Sequence, residues 1–193
     1  TAEELEYFQQ YTESTRTGYV AEHGGYYYTA STEISCFFTS FYDDVRELNF
    51  EEFMRYFPGD RDNPVQATEA EFEALKHVKG WPFTEVESLD KMPVPIHKYP
   101  RGRVDEVLTK YAGITTAELD TTGVVYLAAY DAFYNETSDF GPGCFIPCYG
   151  EKREDTVALW EAPSGENVTA DMLVLQKNGG NWIILSHQRA AIS

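Results

Sequence analysis

The segment Asn178-Gly-Gly-Asn181 constrains the fold of this chain more than any other feature of its sequence. Asn and Gly accept the positive φ angles that tight hairpin turns need. The flanking runs 171–177 and 182–188 carry alternating apolar residues, which is typical of strands with one buried face. The two runs therefore predict an antiparallel hairpin. Its expected core-facing residues are Leu173, Leu175, Ile183 and Leu185.

Helix signals precede this hairpin. Thr68 and Glu71 form the Thr-x-x-Glu pattern of a capping box, and Asn49 is suited to cap an earlier helix. Apolar residues recur at helical spacing from Val104 onward, and Gly113 follows as a C-cap. The expected helices cover residues 1–12, 49–57, 68–79 and 104–112, with one further turn at 115–118.

Three further segments are typical of strands. Residues 26–40 are rich in aromatic and β-branched side chains, and residues 124–135 and 155–161 alternate or are largely apolar. N-terminal helices followed by antiparallel strands predict the α+β class. By analogy, we expect a curved antiparallel sheet wrapped around a helix, as in cystatin-like and NTF2-like folds.

The length and composition of the chain favour one domain. A chain of 193 residues is an ordinary size for a single core. Aromatic residues make up 15% of the sequence, far more than a disordered chain would carry. We therefore expect a single α+β domain over residues 1–193, with the proline-containing segment 81–102 as the one place for a domain boundary.

The net charge of −17 limits the partners of this chain. Such a charge repels nucleic acid, and the sequence has no long basic stripe, so we expect no nucleic-acid binding. A membrane helix needs a run of about 18 apolar residues, which is missing here, so we expect no transmembrane span. Because the chain begins at Thr1 rather than Met, we expect that a leader peptide was removed and that the protein is extracellular or at the cell surface.

Cysteines and histidines give no metal or cofactor signal. The three cysteines are Cys36, Cys144 and Cys148. We expect them to be small buried hydrophobes, with a 144–148 disulfide as the alternative if Pro147 bends the chain. The histidines lack the spacing of metal ligands, so we expect no bound metal and no cofactor.

Three tyrosines surround one carboxylate in segment 124–135. If this segment is one continuous strand, Tyr126, Tyr130 and Tyr134 fall on one face and Asp131 on the other, among apolar residues. We expect some of these tyrosines to line a partly exposed, concave ligand-binding surface, because a tyrosine offers contact area and a hydroxyl group. The alternative is a fully buried tyrosine face that packs on the helix of residues 104–111. We expect Asp131 in the core, either as an acid–base residue with a raised pKa or as a structural carboxylate bonded to backbone amides or to an Arg.

The loop 135–143 adds two further carboxylates. Together with Asp131, Glu136 and Asp139 are candidates for the paired acids that a glycosidase needs. An ordinary turn explains the same residues equally well, because acidic residues are abundant throughout this chain.

Three C-terminal segments resemble uncharacterised secreted lipoproteins of gut Firmicutes. They run from Val104 to Thr115, from Val125 to Tyr134 and from Leu173 to Ser186. The resemblance implies a location at the cell surface. It implies no activity and no catalytic residues.

Two classes of function remain open after this comparison. The first is a non-catalytic extracellular binding or interaction module, whose partner is a cell-wall or extracellular glycan or a protein. The second is a hydrolase that acts on a glycan or a cell-wall component through Asp131, Glu136 and Asp139. Carboxylates gathered on a pocket floor would favour the enzyme, and an open aromatic groove would favour the module.

Overall fold

The computed structural model describes residues 1–13, 31–59, 65–136, 143–163 and 169–191. Within these ranges, the α-helices are α1 (Ala2–Tyr11), α2 (Phe50–Arg55), α3 (Glu69–Lys76) and α4 (Arg101–Ala112). Single turns of 3-10 helix lie at Ser35–Phe38, Val45–Glu47, Leu89–Lys91 and Thr116–Glu118. The strands are β1 (His97–Pro100), β2 (Val125–Leu127), β3 (Ala132–Asn135), β4 (Tyr149–Arg153), β5 (Thr156–Trp160), β6 (Thr169–Asn178) and β7 (Asn181–Ala191).

The helices begin where the capping signals predict. The hydroxyl group of Thr68 accepts a hydrogen bond from the backbone of Glu71, and the carboxylate of Glu71 accepts one in return from the backbone N–H of Thr68. Asn49 caps α2 by accepting from the N–H of Glu52. Gly113 ends α4 in the left-handed conformation, with φ of 66°. The four predicted helices are therefore confirmed, with boundaries shifted by a few residues.

The strands form two antiparallel sheets, which confirms the α+β class. One sheet has three strands in the order β1-β3-β2, and the other has four in the order β4-β5-β6-β7. A cystatin-like or NTF2-like architecture and a single domain over residues 1–193 stay predictions. No helix of the described ranges combines the length and the apolar character that a bilayer crossing needs.

The C-terminal hairpin forms as predicted, but the expected face of β7 is wrong. Asn178 pairs with Asn181 across a two-residue turn, and Gly179 supplies the positive φ of 61°. This register pairs Leu175 with Ile184 rather than with Ile183. The completely buried residues of the hairpin are Leu173, Leu175 and Ile184, whereas Ile183 and Leu185 are only half-buried.

A β-bulge in β7 changes which residues face the core. Val174 pairs with Ser186 and Leu175 with Ile184, so Leu185 is an extra residue on β7. Beyond the bulge, Leu173 pairs with His187, and both are buried. His187 also exchanges two backbone hydrogen bonds with Tyr42, of 2.7 and 3.1 Å. β7 is thereby joined to the N-terminal half of the chain.

The opposite edge of the four-stranded sheet is exposed. All five residues of β4 are exposed, and β5 is its one strand neighbour in this sheet. Its last three residues are Glu151, Lys152 and Arg153. Gly150 faces β5 so closely that a Cβ atom there would lie 2.8 Å from the Leu159 side chain.

Residues 124–135 form a hairpin rather than the single strand expected from their alternation. Strands β2 and β3 pair with each other, and residues 128–131 make the turn between them. β3 is buried on both faces. Phe133 lies in the main core, whereas Ala132 and Tyr134 lie in a second cluster with Trp81 and Leu75.

The expected strand over residues 26–40 is wrong in the part that the structure describes. Residues 26–30 lie outside the described residues, and Ser35–Phe38 forms a buried turn of 3-10 helix. Thr32 and Ser35 hold this turn through hydrogen bonds between their side chains and backbone groups. Such local bonds compete with pairing in a sheet, which explains the helical turn despite the β-branched and aromatic composition.

The expected burial of the cysteines is confirmed for one of the three. Cys36 is completely buried, whereas Cys144 and Cys148 are exposed. The expectation that these two are small buried hydrophobes is therefore wrong. All three thiols are free, so the alternative of a 144–148 disulfide does not form in this structure.

Candidate functional site

The hairpin of β2 and β3 separates the three predicted binding tyrosines. Tyr126 and Tyr130 are 38% and 39% exposed, whereas Tyr134 is buried at 1%. The ring of Tyr126 packs on Phe133, with 4.9 Å between the ring centroids. The expectation that all three tyrosines fall on one face of a strand is wrong. Tyr126 pairs with Phe133 in the hairpin, so Tyr126 and Tyr134 lie on opposite faces.

Asp131 lies at the tip of this hairpin and not in the core, so its expected burial is also wrong. Its side chain is 54% exposed, and its φ of 48° is left-handed, a conformation that Asp tolerates better than most residues. Arg101 binds both carboxylate oxygens, at 2.6 Å from Nε and 3.2 Å from Nη2. The hydroxyl group of Tyr126 donates to the same carboxylate over 2.5 Å.

The electrostatics of Asp131 do not suit a general acid. Hydrogen bonds from Arg101, and then from Tyr126, lower the pKa of Asp131 below its usual range. A general acid needs the opposite shift. The backbone N–H of Arg101, the first residue of α4, also donates to the carbonyl of Asp131 over 2.9 Å. The contacts of Asp131 therefore join the hairpin tip to the start of α4.

Glu136 does not join Asp131. Glu136 follows the last residue of β3, whereas Asp131 precedes the first, and Asp139 lies outside the described residues. The five residue steps from Asp131 to Glu136 span about 16 Å of extended chain. Paired glycosidase carboxylates lie roughly 5–9.5 Å apart. Asp131 and Glu136 are therefore too far apart to act on one glycosidic bond.

A buried ion pair lies beneath this hairpin, and sequence reasoning missed it. Glu71, whose side chain is 1% exposed, binds the ammonium group of Lys98 at 2.5 Å. The same carboxylate accepts hydrogen bonds from the hydroxyl groups of Tyr134 and Thr68. The capping box identified Glu71, but no sequence signal connected it with Lys98 on β1 or Tyr134 on β3.

Two opposing effects set the pKa of Glu71. Burial raises it, but the hydrogen bonds from Lys98, Tyr134 and Thr68 outweigh burial and lower the pKa to about 2. For Tyr134, burial and the neighbouring carboxylate of Glu71 both raise the pKa. Glu71 is therefore an ionised, fully engaged carboxylate that holds α3 against the three-stranded sheet.

Lys98 connects this buried pair to the exposed surface. Its ammonium nitrogen lies 5.9 Å from the centroid of the Tyr130 ring, within the range of a cation–π contact. Lys98 also lines an open groove beside β1. Lys98 therefore lies next to both the Tyr130 ring and the groove.

An open groove is the main concave feature beside Lys98. It has a volume of about 660 Å³ and lies between residues 57–59 and 65–67 on one side and segment 89–100 on the other. Most of its lining is apolar, including Phe57, Val65 and Met92. Small-molecule and peptide sites commonly have this size and character. None of the predicted site residues that the structure describes lines the groove, because its walls come from segments that carry no motif.

The walls of the groove offer more acceptors than donors. Pro93, Pro95 and Pro100 line it and lack a backbone N–H. The two cationic side chains at its edge already have acidic partners. Lys98 pairs with Glu71, and Arg103 pairs with Glu33. The groove therefore combines an apolar lining with a wall that has few backbone N–H donors.

The described residues contain no group of three or more His, Cys, Asp or Glu side chains that could hold a metal ion. In comparisons with protein-family models, curated proteins and solved structures, none matches this chain.

Proposed function

We propose that this protein is a non-catalytic binding module whose ligand is a peptide segment with apolar and basic side chains. The observation that carries this proposal is the apolar groove of about 660 Å³ that residues 57–59, 65–67 and 89–100 line. A cell-surface or extracellular location belongs to the same proposal and is supported by the resemblance to secreted lipoproteins.

The chemistry of the groove favours a ligand that donates hydrogen bonds. Its proline-rich wall lacks several N–H groups, so an extended peptide can donate its own N–H groups to the wall carbonyls. Apolar side chains of the peptide would contact Phe57, Val65 and Met92. The net charge of −17 attracts basic segments over long range and repels acidic ones.

In this proposal, Tyr130 is the one predicted tyrosine that takes part in ligand binding beside the groove. Tyr130 extends the binding surface from the groove through its contact with Lys98. Tyr126 lies at the exposed hairpin tip. Tyr134 supports the surface from below because it is buried against Glu71. A hydrolase that uses Asp131, Glu136 and Asp139 is the weaker proposal, because Asp131 is ion-paired and lies too far from Glu136.

A titration with designed peptides tests the proposal. The probe is a ten-residue peptide of alternating Leu and Lys, and its control alternates Leu and Glu. We expect saturable calorimetric binding of the Lys peptide, weakened by added salt, and no binding of the Glu peptide. Val65→Lys places a like charge in the groove, at a cost of about 1 kcal/mol or roughly a fivefold loss of affinity.

Ile146→Lys is the matched control for the groove variant. Ile146 is 46% exposed and Val65 is 45% exposed, but only Val65 lines the groove. Ile146→Lys changes the net charge equally and should leave the affinity almost unchanged. Equal weakening by both variants would show that the peptide responds to overall charge alone and would contradict the groove as the site.

A further inference from the structure

Strand β7 and the segment of residues 38–42 meet at His187, a buried histidine that lies outside the groove. His187 is 2% exposed. Its backbone exchanges two hydrogen bonds with Tyr42, of 2.7 and 3.1 Å. Its ring nitrogen Nδ1 lies 2.8 Å from the carbonyl oxygen of Ser40. Three hydrogen bonds at one residue therefore hold the segment on β7.

The contact with Ser40 determines which ring nitrogen of His187 carries the proton. A carbonyl oxygen only accepts hydrogen bonds, so Nδ1 is protonated and donates to Ser40. The other ring nitrogen, Nε2, is then an unprotonated acceptor. It is buried without a hydrogen-bonding partner among the described residues. The neutral imidazole therefore satisfies its one N–H, whereas a second proton on Nε2 would have no acceptor.

Aromatic rings surround the imidazole of His187. The ring centroid of Phe41 lies 4.8 Å from that of His187, and those of Phe38 and Phe145 lie 5.7 and 5.9 Å away. Phe38 and Phe145 are themselves buried. Such surroundings solvate a charge poorly, so burial lowers the pKa of His187 below its usual 6.5, although the hydrogen bond to Ser40 partly opposes this shift. The closed contact therefore favours the neutral imidazole.

The charged groups around His187 do not provide a partner for a proton on Nε2. Asp171 on β6 raises the pKa of His187 and Arg189 on β7 lowers it, and these two bind each other through hydrogen bonds of 2.7 and 3.1 Å. Asp43, next to the segment, accepts from a neighbouring glutamine side chain over 2.8 Å. Glu161, just after β5, accepts from a backbone N–H over 2.6 Å. None of these carboxylates is bonded to Nε2.

We propose that His187 is a pH-sensitive switch that holds segment 38–42 on β7 at neutral pH and releases this segment locally on acidification. In the open state, water reaches the ring, and the imidazole binds a proton with the ordinary affinity of a histidine. The open state therefore binds more protons than the closed state. Its population should rise by up to about tenfold for each pH unit below 6.5, until the pH reaches the lowered pKa of the closed state.

Two other titratable groups near this contact have pH dependences that differ from that of His187. Burial raises the pKa of Glu161, so the ionisation of this group makes acidification favour the folded protein, which is the opposite sign. Burial also raises the pKa of Tyr42, and its hydroxyl group stays neutral throughout the acidic range. Local opening on acidification through the range of an ordinary histidine therefore identifies His187 as the group responsible.

Native-state hydrogen exchange tests the switch in the parent protein. The probes are the backbone N–H groups of Tyr42 and His187, which donate to each other's carbonyl groups. From about pH 7.5 to about pH 5.5, their protection factors should fall by roughly tenfold. Low concentrations of urea should leave this exchange unchanged, because a local opening exposes little surface. Constant protection over this pH range, or exchange that accelerates steeply with urea, would overturn the proposal.

Three glutamine variants assign the effect to one side chain. His187→Gln keeps an N–H donor near Ser40 but does not titrate, so its protection factors should not depend on pH. His77→Gln is the matched control, since His77 is an exposed histidine, and it should retain the pH dependence of the parent. Glu161→Gln should retain it as well. A pH dependence that persists in His187→Gln, or that disappears in either control, would contradict the proposal.

The imidazole ¹⁵N signals of the parent keep the test valid if His187→Gln fails to fold. At about pH 7.5, they should show His187 as the neutral tautomer with its proton on Nδ1. Protonation of His187 should then accompany the loss of protection at Tyr42. A protonated His187 in a protein whose two amides stay protected would overturn the switch. None of these measurements involves the groove, so their outcome leaves the peptide proposal untouched.

Discussion

The ammonium nitrogen of Lys98 lies 2.5 Å from Oε1 of Glu71, a carboxylate that is 1% exposed. This contact joins the first turn of α3 to β1, two elements that are far apart in the sequence. A carboxylate buried this deeply is tolerated only because a cation and three hydroxyl or amide donors surround it. The stability of the fold should therefore depend strongly on the Glu71–Lys98 pair.

Removal of the charge of Glu71 should destabilise the protein strongly. Glu71→Gln leaves Lys98 largely buried without its counter-charge, and breaking such a pair costs about 3–5 kcal/mol. Urea unfolding measures this change in the free energy of unfolding. Glu87→Gln is the control. It removes an ion pair with Lys91 in which both side chains are exposed and should cost under about 1 kcal/mol. Similar losses in both variants would contradict the structural role of Glu71.

The stability of the protein should depend on the ionisation of Glu71. The folded protein lowers the pKa of Glu71 from 4.5 to about 2, so the native state releases this proton more readily than the unfolded chain. The resulting stability is complete above the unfolded pKa and is lost as the pH falls towards 2. The unfolding free energy of the parent should therefore fall more steeply below pH 5 than that of Glu71→Gln. Parallel pH profiles of the two proteins would be inconsistent with the lowered pKa.

Alanine substitutions at Tyr130 and Tyr134 should have different effects on the stability of the protein. Tyr134 is 1% exposed, and its truncation should cost about 3–5 kcal/mol. Tyr130 is 39% exposed, so Tyr130→Ala should change stability far less and affect peptide binding instead. Thermal melting and peptide titration of both variants measure these effects. A large loss of stability in Tyr130→Ala would place its ring in the core, against the observed exposure.

The two glycines of the C-terminal turn should differ in their tolerance of alanine. Gly179 has a φ of 61°, a left-handed conformation that costs an alanine about 1 kcal/mol. Gly180 has no positive φ and has no atom near a substituted Cβ, so Gly180→Ala should be nearly neutral. Urea unfolding of the two variants measures the difference. The reverse order would require a different turn type.

A thiol reagent should distinguish the three cysteines. Cys144 and Cys148 are exposed and should react in the native protein, whereas Cys36 should react only after unfolding. Cys144 should react more slowly than Cys148, because partial burial and the nearby charge of Glu161 raise the pKa of Cys144. The time course of Ellman's reagent measures all three rates. Fast native reaction of three thiols would contradict the burial of Cys36.

The sequence predicts the helices well because their signals are local. A capping box such as Thr68 to Glu71 needs only residues within one turn, and the structure contains both of its hydrogen bonds. The C-terminal hairpin is local as well. Its two-residue turn already requires Leu175 to pair with Ile184, and counting from that turn would have corrected the expected face of β7.

The candidate site could not be predicted in the same way. The turn at 128–131 lacks Gly and Pro, so the run from 124 to 135 resembles one continuous strand. The only local signal was Asp131, a residue type that accepts left-handed backbone. The contacts of Lys98 with Glu71 and Tyr130 join three separate segments of the chain. Such long-range contacts depend on the complete fold and leave no pattern of spacing in the sequence.

The exposed strand β4 has a consequence for the behaviour of the protein at high concentration. An outer strand presents backbone N–H and C=O groups that could recruit the same strand of another molecule. Consecutive charges at Glu151, Lys152 and Arg153 make parallel stacking unfavourable, because each like charge would meet its own copy in a parallel, in-register pairing. The charges of β4 thus disfavour fibrous self-association, although the strand forms the outer edge of the sheet.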